Sequence, residues 1–448
     1  MRCVTCGDEN KEDARACATC GASLRVAHVQ FHLDQAESST ISSNFEQATK
    51  RLAAADLEMI SLSLAQRSQH FFSARAFWIQ GRIYFGKGML NEAAAEMLLA
   101  ESELREHPLG SRLLAQVLNG LGTISYYQNL TDEASGYFRR SSSLALAVGE
   151  HAVAAKAFNN LGNICLNTGE VEKAIDFYTQ GLEQAELDDA PSALADNYRT
   201  LALLYASYGP YSLALRYAAN ALALRERIEN LDMRCLITAE AASVYVRHDD
   251  LAEAEVYLRE ALKLVGQSGN LIVEEAVALH FGDLMWRKGD NHAWLIGTIK
   301  TISDASSKVF LKGPSAVQLA AYYIAQADWA KVSRHLHWIR NHAIEGVELQ
   351  ELPLFHLAQA MIYSALEQWA EAEEQFKLAL SDHTLPPYNQ ANTLAEYARM
   401  MFRYSAASPD SPERQAEAIA LAQRAAHIFH ELELPKRATA VEMLLAAG

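Results

Sequence analysis

Long apolar runs are missing from this chain of 448 residues. No stretch of about 18 apolar residues occurs, which excludes a membrane-spanning helix. The first ten residues, MRCVTCGDEN, lack the apolar core of a secretory signal. Surplus positive charge is also missing. The formal net charge of −16 would repel duplex DNA or RNA from most of the surface. No G-x4-GK[ST], HExxH or G-x-S-x-G motif is present, nor a glycine-rich nucleotide loop following a strand. Prolines number only ten, and none needs to sit inside a helix. Cysteines number six, and in the reducing cytosol expected for this chain they are not read as a disulfide framework. The reading is a non-catalytic, cytoplasmic protein with no membrane or general nucleic-acid partner.

What is present is repetition. Gly81, Gly122, Gly162, Ala202, Ala242, Gly282, Ala320 and Ala360 form a column of small residues at steps of 38 to 41. A second small column follows 12 residues later, at Ala93, Ala134, Ala174, Ala214, Ala254 and Ala372, broken by Trp294 and Val332. Four residues further on stand Met97, Phe138, Tyr178, Leu258 and Phe376, with Ala218 as an exception. Turn-forming stretches such as GKGML, QNLTD, NTGEV and RHDDL lie between the two columns. Two antiparallel helices approach closely only where both carry small side chains. A single such hairpin cannot bury its apolar face, so copies must stack.

These columns resemble the small–aromatic–small–aromatic signature of the tetratricopeptide repeat (TPR). A 40-residue step is longer than the usual unit of about 34 residues. It is similar to the long repeats of bacterial signalling ATPases and regulators and of kinesin light chains. The resemblance implies an all-α fold, a right-handed TPR superhelix (an α-solenoid of helical hairpins), with a small N-terminal zinc ribbon. The expected organisation is a ribbon at 1–25, a Ser-rich linker at 26–44 and a helical segment at 45–69. An array of about eight hairpins follows at 70–385, with C-terminal helices at 386–448 forming a further repeat and a cap.

Cys3-x2-Cys6 and Cys17-x2-Cys20 can supply four thiolates to a structural Zn²⁺. Gly7 and Gly21, each following a pair, permit tight turns that aim N–H groups at sulfur. The stretch resembles the zinc ribbons at the N-termini of many bacterial multidomain proteins; the alternative is a pair of redox dithiols. With all four positions filled by thiolate, no coordination site is open for chemistry. The ribbon has no aromatic residue on which a base could stack. Cys165 and Cys235 read as small buried hydrophobes. The histidines of HLHWIRNH (His335, His337, His342) and the pair His427 and His430 read as solvated helix residues, and the abundant carboxylates as solvated faces. Trp286, Trp294, Trp329, Trp338 and Trp369 read as packing between repeats.

The TPR resemblance further implies that the first helix of each hairpin lines a concave groove. The expected partner-binding residues are Arg75, Trp78, Arg82, Asn119, Tyr126, Lys156, Asn159, Asn163, Asn167, Arg199 and Arg247. Asparagines at spacing four can bracket an extended backbone, and arginines can grip carboxylates. The expected function is a scaffold or sensor that takes a protein or peptide segment of acidic character. The alternative is a regulatory subunit for a separately encoded ATPase, cyclase or protease. A nucleic-acid regulator acting through the ribbon is disfavoured by charge.

Overall fold

Helix-forming stretches of 11 to 21 residues, broken by short turns, run through most of the chain. The computed structural model describes residues 1–42, 44–63, 66, 71–105, 110–268, 271–288, 353–382, 385–407 and 412–447. The repeat copies around Trp294 and Val332, the three histidines of HLHWIRNH, and Trp329 and Trp338 lie outside these residues. Among the described residues there are helices and no strands, only the isolated bridges Arg2–Glu9 and Ala16–Ser23. The chain divides into two units, Met1–Asn197 and Tyr198–Gly448, the division falling within one helix.

The first unit contains the cysteine segment and helices α1 (Arg25–Ile41), α2 (Phe45–Met59), α3 (Phe72–Gly86), α4 (Leu90–Leu104), α5 (Ser111–Tyr127), α6 (Thr131–Val148), α7 (His151–Asn167) and α8 (Val171–Leu187). The dividing helix is α9 (Pro191–Tyr208). In the second unit come α10 (Tyr211–Leu224), α11 (Leu231–His248), α12 (Leu251–Ser268), α13 (Leu271–Lys288), α14 (Pro353–Ala365), α15 (Trp369–Ala379), α16 (Pro387–Ala407), α17 (Pro412–Glu431) and α18 (Pro435–Ala447). Five of these helices begin at a proline, where a missing N–H costs nothing.

Consecutive helices pair as hairpins, giving a helical-repeat solenoid. The small columns sit where the paired helices cross. A Cβ at Gly122 would lie 2.6 Å from the Phe138 ring, and one at Gly162 would lie 2.5 Å from the Tyr178 ring. At Gly81 it would meet Met97 at 2.9 Å. The large residue four after the second column therefore lies over the small residue of the first, with no room for a methyl group. Ala134, Ala174, Ala214, Ala254 and Ala372 are all fully buried.

The turns hold a third column that side chains alone do not reveal. Gly88, Asn129, Gly169, Gly209, Asp249 and Glu367, each seven residues after a small-column member, all adopt positive φ. In five of the six the next N–H reaches back five residues, as from Glu170 to the Cys165 carbonyl at 2.8 Å and from Asp250 to Tyr245 at 2.9 Å. This is the Schellman closure of a helix C-terminus. In the sixth turn the next residue is Pro210, which has no N–H to give.

Residues 26–44, expected to be a linker, are mostly helix α1. Val29, Leu33 and Ala36 recur on one helix face and are fully buried. The serines and threonine that suggested a linker turn their hydroxyls back onto the helix: Ser39 Oγ donates to Gln35 O at 2.8 Å and Thr40 Oγ1 to Glu37 O at 2.6 Å. Helices α1 and α2 pair as a further hairpin ahead of α3.

Candidate functional site

Two candidate sites emerge, both in the first unit. At the N-terminus two short turns bring Cys3, Cys6, Cys17 and Cys20 together, all four Sγ atoms lying within 4.8 Å of one another. Cys3 and Cys20 sulfurs are 3.7 Å apart, and those of Cys6 and Cys17 are 3.5 Å apart. Four thiolates around one ion at a Zn–S distance of about 2.3 Å stand about 3.8 Å apart, so the donor set fits a tetrahedral metal. Gly7 at φ 81° and Gly21 at φ 70° make the turns. Thr5 N–H points at Cys3 Sγ (3.4 Å) and Asn10 Nδ2 at Cys17 Sγ (3.6 Å). Hydrogen bonding, first from the Cys20 backbone N–H, draws Cys17 down to about 6. At Cys6 the Asp8 N–H acts to lower the pKa, but desolvation and the neighbouring sulfurs push it up to about 12. Four sulfurs so close cannot all ionise without a cation between them.

The cysteine segment is fastened to the first hairpin. Leu24 is fully buried beside Cys3, Cys17 and Ala27. Arg15 pairs with Glu58 of α2 at 2.7 Å. The buried His28 ring lies 2.9 Å from the Leu24 carbonyl and 3.1 Å from the Glu12 carbonyl.

The second site is the face shared by the first helices of successive hairpins. Here most expected partner-binding residues are already engaged within the chain, several of them with a residue about one repeat away. Arg75 pairs with Asp34 (2.8 Å) and Glu37 of α1. Asn160 Nδ2 donates to Asn119 Oδ1 at 3.3 Å, and Asn167 donates to the Tyr126 hydroxyl. Tyr178 OH donates to Asn163 Oδ1 at 2.7 Å. Asn159 is only 1% exposed, which corrects its expected place on an accessible groove face. In the second unit Arg199 pairs with Glu240, while Arg247 donates to Ser207 Oγ at 3.1 Å and lies over the Tyr388 ring. Arg287, 40 residues after Arg247, donates to the Tyr388 hydroxyl at 2.9 Å. A tyrosine of the C-terminal helix α16 thus covers two equivalent rungs. No local pattern signals this, because the contact joins residues far apart in the chain.

Arg82 and Lys156 differ from the rest. They line a cavity of about 360 Å³ with Trp78, Phe85, Gln116 and Asn119. Neither has an ion-pair partner within 4.0 Å among the described residues; Arg82 lies over the ring of Trp78 on its own helix. Lys156 is exposed at the rim of this cavity. Desolvation lowers its pKa, Asp196 opposes that shift and Arg82 adds to it. Desolvation likewise lowers Arg82, against the field of Glu37.

The other sequence candidates have plain structural roles. Cys165 and Cys235 are buried, and burial raises both thiols, Cys235 to about 11. His427 and His430 face Glu431 and Glu442 on the surface. Trp369 stacks on Tyr404 at 5.5 Å. Among the described residues no helix is long and apolar enough to cross a membrane.

Residues 113–186, from α5 to α8, match the tetratricopeptide repeat family. The chain is thus a helical-repeat solenoid carrying tetratricopeptide repeats in that span. No curated protein matches the sequence. Among solved structures it is similar to NprR in complex with its cognate peptide NprX (15% identity, 79% of this chain and 98% of that one, TM-score 0.49). It is also similar to a tetratricopeptide repeat protein from Parabacteroides merdae (18% identity, 64% and 98%, TM-score 0.39). A third is the human IFIT1 dimer with m7Gppp-AAAA (15% identity, 94% and 90%, TM-score 0.45).

Proposed function

We propose that this protein is a non-catalytic interaction scaffold or sensor of a reducing, cytoplasmic setting. It takes a protein or peptide partner on the first-helix face of α3, α5 and α7, and holds a structural Zn²⁺ with Cys3, Cys6, Cys17 and Cys20. The observation that carries the binding reading is the open face beside the matched repeats, where Arg82 and Lys156 have no ion-pair partner among the described residues. Those two cations favour acidic character in whatever binds. Arg75, Arg199 and Arg247 are engaged within the chain, so the attraction is concentrated at one place rather than spread over four hairpins.

Capture of partners by the intact protein from its own cells tests the binding reading. A stoichiometric partner lost on double charge reversal at Arg82 and Lys156 is expected. A partner retained by that variant would place the binding surface elsewhere. For the metal, elemental analysis should give about one zinc per chain, lost when Cys17 and Cys20 are changed to serine. Zinc persisting in that variant would sink the assignment.

A further inference from the structure

Two small or pliable residues, Gly120 and Met97, line the cavity beside Arg82. In the repeat register, the position two before the small column holds Ile79, Asn160, Thr200 and Glu240 in other hairpins, but Gly120 in α5. A Cβ there would come within 3.1 Å of the Met97 methyl group. Met97 in turn stands where other hairpins have Phe138 or Tyr178, so a thin, pliable side chain replaces a ring. A glycine inside a helix costs about 0.5–1 kcal/mol relative to alanine, and nothing in the helix itself requires Gly120. The result is a pocket with an apolar wall of Trp78, Phe85, Ile124 and Val153. Its charged rim is Arg82 and Lys156, with the amides of Gln116 and Asn119 as further polar groups. Glu37 also lines it, but is engaged by Arg75.

We propose that this pocket binds a small organic carboxylate with an apolar, aromatic-sized body, the ring or chain lying against Trp78 and the carboxylate meeting Lys156 and Arg82. About 360 Å³ is at the low end of small-molecule sites and suits one such group. Two neighbouring cations, Arg82 half-buried and Lys156 exposed at the rim, have no ion-pair partner within 4.0 Å among the described residues and gain from an arriving anion, and a planar guanidinium matches a carboxylate. This rests on the first-helix face being a binding face, and it gives the sensor half of that reading its ligand class. Anion binding stabilises the charged ammonium of Lys156, so affinity falls as the pH rises through the lowered lysine pKa.

Calorimetry on the intact protein with 4-phenylbutyrate, its alcohol 4-phenylbutanol and the amine 4-phenylbutylamine tests the proposal. The acid should bind, and the alcohol should bind about 10- to 100-fold more weakly, the loss expected for one or two charged hydrogen bonds. Lys156→Met and Arg82→Gln should each reduce acid binding about tenfold or more, with the unliganded melting temperature held. Gly120→Leu should block it by filling the cavity; Gly136→Ala, on the open face of α6, should not. Equal binding of acid and alcohol overturns the proposal. So does full affinity in Lys156→Met, or no binding of the acid up to about 5 mM. A tetrapeptide ending in phenylalanine with a free carboxylate serves as a further probe. Binding tighter than 4-phenylbutyrate, and lost on amidation, would assign the pocket to a chain end and overturn the small-molecule assignment. A protein partner still captured by a variant that no longer binds the acid would separate the two readings: it weighs against the captured partner's use of this cavity, not against the carboxylate.

Discussion

Gly162 and Gly136 are both helical glycines, yet their surroundings demand opposite outcomes on substitution. A methyl group at Gly162 would strike the Tyr178 ring, whereas nothing lies within 4 Å of one at Gly136. Gly162→Ala should therefore destabilise by about 1–3 kcal/mol in denaturant unfolding. Gly136→Ala should stabilise by about 0.4–1 kcal/mol. Glu367 offers a complementary test: it alone brings a long side chain to the positive-φ column, at φ 60°. Glu367→Gly should raise stability by about 0.5–1 kcal/mol, because the left-handed region costs other residues about 1–2 kcal/mol. The two small columns and their overlying large residues were legible in the sequence, since each contact needs a particular side-chain size. The turn column was not: Gly, Asn, Asp and Glu share a backbone angle there rather than a side-chain type. Asn159 is buried despite its polarity, so side-chain type alone does not reveal its place.

Helix α1 shows how composition misleads at the scale of an element. Its tail, ESSTI, is polar and reads as linker, while the apolar stripe from Val29 to Ala36 is short enough to overlook. The helix packs on α2 and α3 and brings two histidines with it. Each ring nitrogen of His28 has a carbonyl within 3.1 Å, one of which its N–H can reach, whereas the Nδ1 of His32 is buried without a partner among the described residues. Desolvation first, then the positive field of Arg51, lowers the His32 pKa. A histidine with a depressed folded pKa binds more protons when unfolded, so stability is full above about pH 6.5 and falls as the pH drops below it. Thermal melts at about pH 7.5 and 5.5 should show a loss on acidification. The loss should be smaller in His32→Leu, where that titration is gone. An equal loss in both would assign the acid sensitivity to other groups. The cysteine cluster was legible because two Cys-x2-Cys pairs and their glycines are local signals. Its attachment through Arg15 and Glu58 was not, since it depends on how α2 is placed.

Across the whole molecule, most contacts join neighbours in sequence, as a solenoid dictates. The second unit breaks that pattern. Tyr211 N–H donates to the Leu432 carbonyl at 3.2 Å, Ser212 N–H to Glu433 Oε2 at 2.9 Å, and Lys436 pairs with Asp250 at 2.6 Å. Leu432, almost fully buried, presses against Gly209, in the turn where Pro210 forgoes the usual Schellman bond. Leu432→Ala with Glu433→Ala should speed amide hydrogen exchange at Tyr211 and Ser212 and leave the amides of Met1–Asn197 unchanged. Protection retained at both amides would mean that this contact does not close the turn.

That contact has a consequence for birth on the ribosome. Ser212 and Glu433 are separated by 221 positions. Early hairpins find their neighbours as soon as they emerge, but the 209–212 turn must wait for the last helices. At roughly 5–20 residues per second the interval is about 10–40 s, during which two amides and an apolar surface stay bare. The 209–212 turn is thus open to mispairing or cleavage until then, and translation that stalls before residue 432 prolongs that interval.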